Sequence, residues 1–391
     1  MKSTRKKICF ITGSRAEYGL LRPLMDKIRK SAEFELQIIA TSMHLSHEFG
    51  LTYREIEKDG FTIDDKIEIL LSSDSSIAVS KAIGLGCISL SESFARLAPD
   101  LVIVLGDRFE TFAAATAAHV ARIPIAHLHG GELTEGAFDD AFRHSITKMS
   151  ILHFTSTEIY RRRVIQLGEQ PTTVFNVGAI GLDNIQELRL LSKKKLEQEL
   201  GVSFLKKNLL VTFHPATADR NSAMKQCTEL LAALDELKDT FIIFTKSNAD
   251  AEGRLINTMI EKYVSRNTSS SALFSSLGQL KYLSLLQCVD GVVGNSSSGI
   301  IEAPGFKIGT INIGNRQLGR MRASSIIDCE PQKKSIRKAT EILYSTPFQQ
   351  QLKNCSNPYG NGGTSKQILS ILKKTDLSLI RSKHFFDIPQ R

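Results

Sequence analysis

The chain has 391 residues, with 50 basic against 41 acidic side chains, a formal charge of +9 and 42% hydrophobic positions. That balance excludes a disordered, collagen-like or membrane-embedded chain, and at roughly 150 residues per domain the length predicts two or three domains, each burying its own core. The basic excess gathers at residues 2–7, 161–163 and 193–195, which read as solvated ends and helix faces without any nucleic-acid-binding pattern, so no nucleic-acid partner is expected.

The amino terminus lacks a secretory apolar region and cleavage site. The longest weakly charged stretch, residues 112–121, is half of the roughly 20 residues a spanning helix needs, so no membrane partner is expected either. Cysteines 9, 87, 227, 288, 329 and 355 have no CxxC spacing and read as reduced thiols in a cytoplasmic protein.

In chain order, residues 8–12, 36–41, 101–105, 124–128, 152–155 and 174–177 are short and almost wholly apolar. Strands covered on both faces of a parallel sheet have that composition. Between the first two, Leu20, Leu21, Leu24, Met25 and Ile28 fall on one helical face. The alternation of strand and helix predicts an α/β doubly wound parallel sheet. After Gly181 the pattern loosens, then restarts with strands at 209–213, 241–245, 272–275, 291–294 and 308–313 and helices near 221–237, 251–264 and 279–288. We therefore expect a first domain over residues 1–190 and a second over 191–372. A terminal segment, 373–391, would return to the first domain because residues 384–389 carry apolar groups that need cover.

Open α/β sheets bind ligands at the carboxyl ends of their strands, where turns present backbone N–H groups. The first such turn, Thr12-Gly13-Ser14-Arg15-Ala16-Glu17, is neither a dinucleotide fingerprint nor a Walker A loop; Arg15 is either a phosphate clamp or a surface cation. Gly106-Asp107-Arg108-Phe109-Glu110 ends another strand. His127-Leu128-His129-Gly130-Gly131-Glu132 ends a third, followed by Asp139-Asp140-Ala141-Phe142-Arg143-His144. Asp107, Glu132 and Asp139 thus gather at one sheet edge, where mutual repulsion can raise one pKa towards neutrality. His127, His129 and Glu132 also admit a metal reading, but the helical HExxH spacing is missing, and hydrogen-bonded strand histidines fit better; no metal is expected.

In the second half, Phe213-His214-Pro215, Ser247-Asn248-Ala249-Asp250 and Gly294-Asn295-Ser296-Ser297-Ser298-Gly299 end strands. The serine-rich turn offers donors to a diphosphate, Glu302 is placed about one turn into the following helix to accept from ribose hydroxyls, and Arg316 adds a phosphate cation. A donor-rich nucleotide pocket facing a carboxylate cluster suits a nucleoside-diphosphate sugar bridging a cleft.

These motifs, in this order from residue 8 to about 320, resemble the hydrolysing UDP-N-acetylglucosamine 2-epimerases. The resemblance implies a glycosyltransferase-B type fold, two Rossmann-like domains closing over a UDP-sugar. It implies conversion of UDP-GlcNAc and water to N-acetylmannosamine and UDP through a 2-acetamidoglucal, for sialic or legionaminic acid synthesis, without a cofactor. Carried over by position, Asp107, Glu132, Asp139 and His214 match catalytic residues. Arg15, Arg108, Arg143, Asn248, Ser296, Ser297, Ser298, Gly299, Glu302 and Arg316 match nucleotide-sugar contacts. A homodimer or homotetramer is also implied. Residues 134–138 hold no marker for GlcNAc, which leaves UDP- or GDP-N,N'-diacetylbacillosamine as an alternative sugar. The remaining alternatives are a non-hydrolysing epimerase, a glycosyltransferase and a nucleotide-sugar-binding regulator.

Overall fold

A computed structural model describes residues 5–71, 75–133, 139–215, 220–247, 251–377 and 383–388. The described residues of Met1–Glu132, Phe138–Asn184 and Tyr359–Arg391 form one compact unit, and those of Leu133–Ala137 and Ile185–Pro358 form another.

The first unit is built on β1 (Lys6–Thr12), β2 (Phe34–Thr41), β3 (Asp65–Ile67), β4 (Leu101–Leu105), β5 (Ile125–Leu128), β6 (Leu152–Thr155) and β7 (Val174–Asn176), in the sheet order β3-β2-β1-β4-β5-β6-β7. All pairs are parallel. Both faces of β1 are apolar for a reason visible in its packing. Ile8 and Phe10 join the cluster of Leu21, Leu24, Met25 and Ile28 from the helix Arg15–Arg29. Cys9 and Ile11 join Leu90, Phe94 and Ala113 on the other side. Strand β3 escaped the sequence reading because Asp65-Lys66-Ile67 has a single apolar residue; pairing with β2 and a Thr41 Oγ1 bond to Ile67 O of 2.7 Å hold it.

One sequence expectation needs correction. The helix Ser76–Leu97, at 22 residues, is long and apolar enough to cross a membrane by length and composition, whereas the sequence reading found no stretch beyond residues 112–121. Here it packs in the first unit through Ala78, Ala82, Gly86, Leu90 and Phe94. A Cβ on Gly86 would stand 2.9 Å from Ala113 Cβ, so the glycine permits close approach to the helix Phe109–Val120.

The second unit ends at Pro358, earlier than the expected residue 372. The helix Thr364–Lys374 belongs to the first unit because Asp183 caps its start, accepting from Thr364 N at 2.8 Å and Ser365 N at 2.7 Å, and because Ile368 and Leu372 enter the core beside Leu21 and Met25. Further on, Lys383 Nζ pairs with buried Glu169 at 2.6 Å and donates to the carbonyls of Lys148 and Ser150, at 2.6 and 2.7 Å. A cation thereby completes the carboxyl end of the helix Asp139–Met149. Glu169 also holds His153 at 3.0 Å and Lys148 at 2.7 Å.

The second unit contains β8 (Lys207–Thr212), β9 (Thr240–Thr245), β10 (Ser271–Phe274), β11 (Gly291–Gly294), β12 (Gly309–Ile313) and β13 (Ile326–Cys329), ordered β10-β9-β8-β11-β12-β13 and again parallel. In each sheet the strand order reverses once, between β1 and β4 and between β8 and β11, and such switch points open a crevice at the strands' carboxyl ends. Gly294, the last residue of β11, has φ +132°, and a Cβ there would collide with the carbonyl of Thr212. Gly294→Ala is therefore expected to destabilise the second unit by about 2 kcal/mol or more, read as a lower urea midpoint; an unchanged midpoint would contradict this account of the turn.

Candidate active site

At the first switch point, β1 runs into Gly13, whose N–H donates to Glu17 Oε2 at 2.6 Å while Ser14 caps the helix Arg15–Arg29. β4 leaves through Gly106 at φ +77°, a conformation glycine adopts cheaply. That turn delivers Asp107 and sets Arg108 at the N-cap of the helix Phe109–Val120. Arg108 Nε binds the fully buried Glu110 carboxylate at 2.5 Å, and the surrounding acids hold the guanidinium charged. Arg15 lies 3.7 Å from Glu55, an exposed pair of small energetic weight.

Arg143, 4% exposed, extends from the helix Asp139–Met149 and divides its guanidinium between two acceptors. Nη1 donates to His129 O at 3.0 Å, and Nη2 donates to Asp107 Oδ2. His129 Nδ1 stands 2.9 Å from Glu132 Oε1, which also accepts from Ser156 Oγ at 2.8 Å. Because Ile180 N–H donates to His129 Nε2 at 3.4 Å, the ring proton belongs on Nδ1, facing the carboxylate. Asp107, Arg143, His129 and Glu132 thus form one continuous chain. Asp139 begins the same helix. Burial chiefly, and then the Asp107 charge, push its carboxyl up to about 6 against the opposing pull of Arg108 and Arg143. Such an acid exchanges a proton near neutral pH.

The structure refines the sequence picture of these groups. Glu132 is 2% exposed and engaged inward with His129 and Ser156, unlike Asp107 and Asp139, which are only partly covered. His127 and His129 do not share a face, because β5 ends at Leu128 and His129 turns away with φ +64°. His127 bonds instead to Gly106 O at 2.8 Å and Thr147 Oγ1 at 3.1 Å, and burial lowers its pKa to about 3. Among the described residues no group of three or more His, Cys, Asp or Glu is placed to hold a metal ion.

At the second switch point Asn295, 2% exposed, is the organising residue. Its Oδ1 accepts from His214 N at 2.7 Å and its Nδ2 donates to His214 O at 2.8 Å. Its carbonyl accepts from Arg316 Nη1 at 3.0 Å and Gln317 Nε2 at 2.8 Å. His214 Nδ1 meets Ser247 Oγ at 3.2 Å. Burial and the neighbouring Arg316 charge lower the His214 pKa to about 3, so it is a neutral hydrogen-bonding group in the free protein. Ser296 caps the helix Ser297–Ile301 and accepts from Ser298 N, while Ser298 Oγ accepts from Tyr282 OH at 2.7 Å.

Two expectations shift here. Gly299 gives its N–H to Ser296 O at 3.2 Å, and a Cβ would crowd Thr310 Cγ2, so the glycine also permits close helix-to-strand packing. Glu302 stands just past the five-residue helix instead of inside it. Asn248 lies outside the described residues. The sequence reading missed Glu17, Glu110 and Asn295 as organising groups. Their available signals were weak: an acid two residues beyond Arg108, another four beyond Gly13, and an asparagine after a strand-ending glycine.

The pattern of the UDP-N-acetylglucosamine 2-epimerase family matches residues 26–373. A Campylobacter jejuni protein named GDP/UDP-N,N'-diacetylbacillosamine 2-epimerase (hydrolyzing) is 46% identical over 386 residues, 98% of this chain and 100% of its own length. Polysialic acid biosynthesis protein P7 of Escherichia coli is 40% identical over 391 residues, covering 98% of each. The crystal structure of UDP-GlcNAc 2-epimerase from Neisseria meningitidis bound to UDP-GlcNAc matches with a TM-score of 0.80 at 19% identity, over 94% of this chain and 100% of that one. The likeness establishes a glycosyltransferase-B type fold with two Rossmann-like parallel-sheet domains.

Carbon-detected NMR of aspartate-labelled protein is expected to show Asp139 titrating near pH 6. Asp107→Asn removes a repelling charge and frees Arg143 to stabilise the carboxylate, so the midpoint should move down towards the ordinary aspartate range. An Asp139 midpoint already in that range in the native protein would contradict this electrostatic picture.

Proposed function

This chain belongs to the UDP-N-acetylglucosamine 2-epimerase family, and we propose that it is a hydrolysing member acting on a nucleotide-activated N,N'-diacetylbacillosamine. Water would convert the substrate to the free sugar inverted at carbon 2, releasing the nucleoside diphosphate. The observation that carries this reading is the pairing of Asp139, raised to about 6, with the Arg143-held Asp107 at one strand edge. The carbon-2 proton is barely acidic, so its removal must be concerted with leaving-group departure. A carboxylate takes the proton, the C–H electrons form a carbon-1 to carbon-2 double bond, and the carbon-1 to oxygen bond breaks with its electron pair leaving on the diphosphate. Water then supplies hydroxyl to carbon 1 and a proton returns to carbon 2 on the opposite face.

In this reading Asp107 and Asp139 act at the sugar, with Glu132 reaching it through His129, whose ring it orients. Arg15, Arg108 and Arg143 contribute positive charge on the same unit. In the second unit Arg316, Ser296 and Ser297 hold the diphosphate, neutral His214 gives it one hydrogen bond, and Glu302 accepts from the ribose. Six free cysteines suit the reducing cytoplasm in which such sugars are made.

The sequence alone favoured UDP-GlcNAc. The 46% identical relative, matched along its full length and named for diacetylbacillosamine, supports that sugar instead. The 40% identical polysialic acid relative keeps UDP-GlcNAc as the second reading.

Incubation with UDP- and GDP-N,N'-diacetylbacillosamine and with UDP-GlcNAc, in heavy water, separates the possibilities. We expect nucleotide release to be fastest from a diacetylbacillosamine donor, with deuterium at carbon 2 of a free reducing sugar. An intact epimerised nucleotide-sugar would exclude hydrolysis, and product without carbon-2 deuterium would indicate simple transfer. Asp107→Asn and Asp139→Asn should each lower kcat by about 100-fold or more while retaining nucleotide binding.

A further inference from the structure

Two buried acids beneath the first switch point have no assigned part in this reaction. Glu17 is 5% exposed and Glu110 is fully buried, and both carboxyls lie against Gly13. Glu17 Oε2 accepts from Gly13 N–H at 2.6 Å, and a Cβ on Gly13 would overlap the Glu110 carboxyl. Glu110 Oε1 binds Arg108 Nε at 2.5 Å, whereas Glu110 Oε2 is buried without a hydrogen-bond partner.

The charges do not balance if both acids are ionised. Arg108 is the cation facing them from the helix Phe109–Val120, Asp139 adds negative charge near Arg108 and Glu110, and His44, across Thr12 at 3.0 Å, is kept neutral by burial with a pKa down to about 4. An unpartnered carboxylate oxygen in such surroundings is costly. One proton on Glu17 removes a charge from the pair, and the unpartnered Glu110 Oε2 is an acceptor open to it.

We propose that Glu17 holds a proton towards Glu110 and that the two act together as positioning residues, fixing the Gly13 turn and aiming Arg108 at the substrate. Burial first, and then repulsion from Glu110, raise the Glu17 pKa to about 8, which keeps Glu17 protonated at neutral pH. The sign follows directly. Above pH 8 Glu17 ionises, and two carboxylates compete for Arg108. Neither acid touches the reacting atoms, so substrate binding suffers more than the chemical step.

This inference rests on the proposed reaction for its kinetic test but not for its spectroscopic one. Infrared difference spectra of the intact protein between pH 7 and pH 9.5 should contain the carbonyl band of a neutral, buried carboxylic acid, present in the native protein and absent in Glu17→Gln. Absence of that band in the native protein overturns the proton on Glu17, whatever sugar is turned over. Kinetically, kcat/KM should fall about tenfold between pH 7 and pH 9, mainly through KM. In Glu17→Gln, which is neutral at every pH, that alkaline fall should disappear; its persistence would overturn the positioning role. Glu110→Gln should raise KM at pH 7 more than it lowers kcat, because Arg108 loses its anchor, and Glu110→Asp should recover part of the loss. If the infrared band is present and none of the three sugars is hydrolysed, the proton on Glu17 stands and the proposed function fails.

Discussion

A single buried guanidinium organises the first unit's chemistry. Arg143 comes from a helix, Asp107 from the turn after β4 and His129 from the turn after β5, so three chain segments are fixed by one planar fork. Arginine suits the task because its charge survives burial and its donors point in set directions. A lysine there would present its donors from a single nitrogen, without the two separately directed Nη groups. The same fork sets the electrostatics of Asp139, which feels Asp107's negative charge together with the opposing charges of Arg108 and Arg143. Geometry and acidity are therefore not separate properties here, since moving any one of these side chains changes both.

The second unit solves the corresponding problem without a buried charge. Asn295 uses its amide and its backbone to hold the turn at His214 and the side chains of Arg316 and Gln317. The two sheets share a strand plan, yet one turn is tied by a buried ion pair and the other by an amide.

Most of this fold was legible because parallel strands covered on both faces must be apolar throughout, and no polar interruption blurs runs such as 8–12 or 101–105. The misses have equally physical causes. β3 and β13 are edge strands with exposed or charged positions, so backbone pairing identifies them and composition does not. The helix Ser76–Leu97 is rich in Ser, Ala and Gly, which give little amphipathic contrast. Asp107, Glu132 and Asp139 were visible because strand ends are where chemistry is expected. What spacing could not reveal was the left-handed turn at His129, which separates it from His127, or the inward engagement of Glu132. The Glu17 and Glu110 pair was hidden for another reason: an acid in the first turn of a helix is ordinarily solvated, and only the approach of two segments at Gly13 buries these two.

The way Asp183 and Glu169 are satisfied has a bearing on biosynthesis. Asp183 caps a helix whose first residue follows it by 181 positions, and the carboxyl end of the Asp139–Met149 helix waits for Lys383, more than 230 positions beyond it. A nascent chain that has left the ribosome only as far as Pro358 already contains every strand of both sheets, yet Asp183 still lacks the helix start it caps and the Asp139–Met149 helix still lacks the cation at its carboxyl end. The carboxyl end of a helix made early is thus closed late, and a chain stopped at Pro358 would contain every strand while lacking that closure.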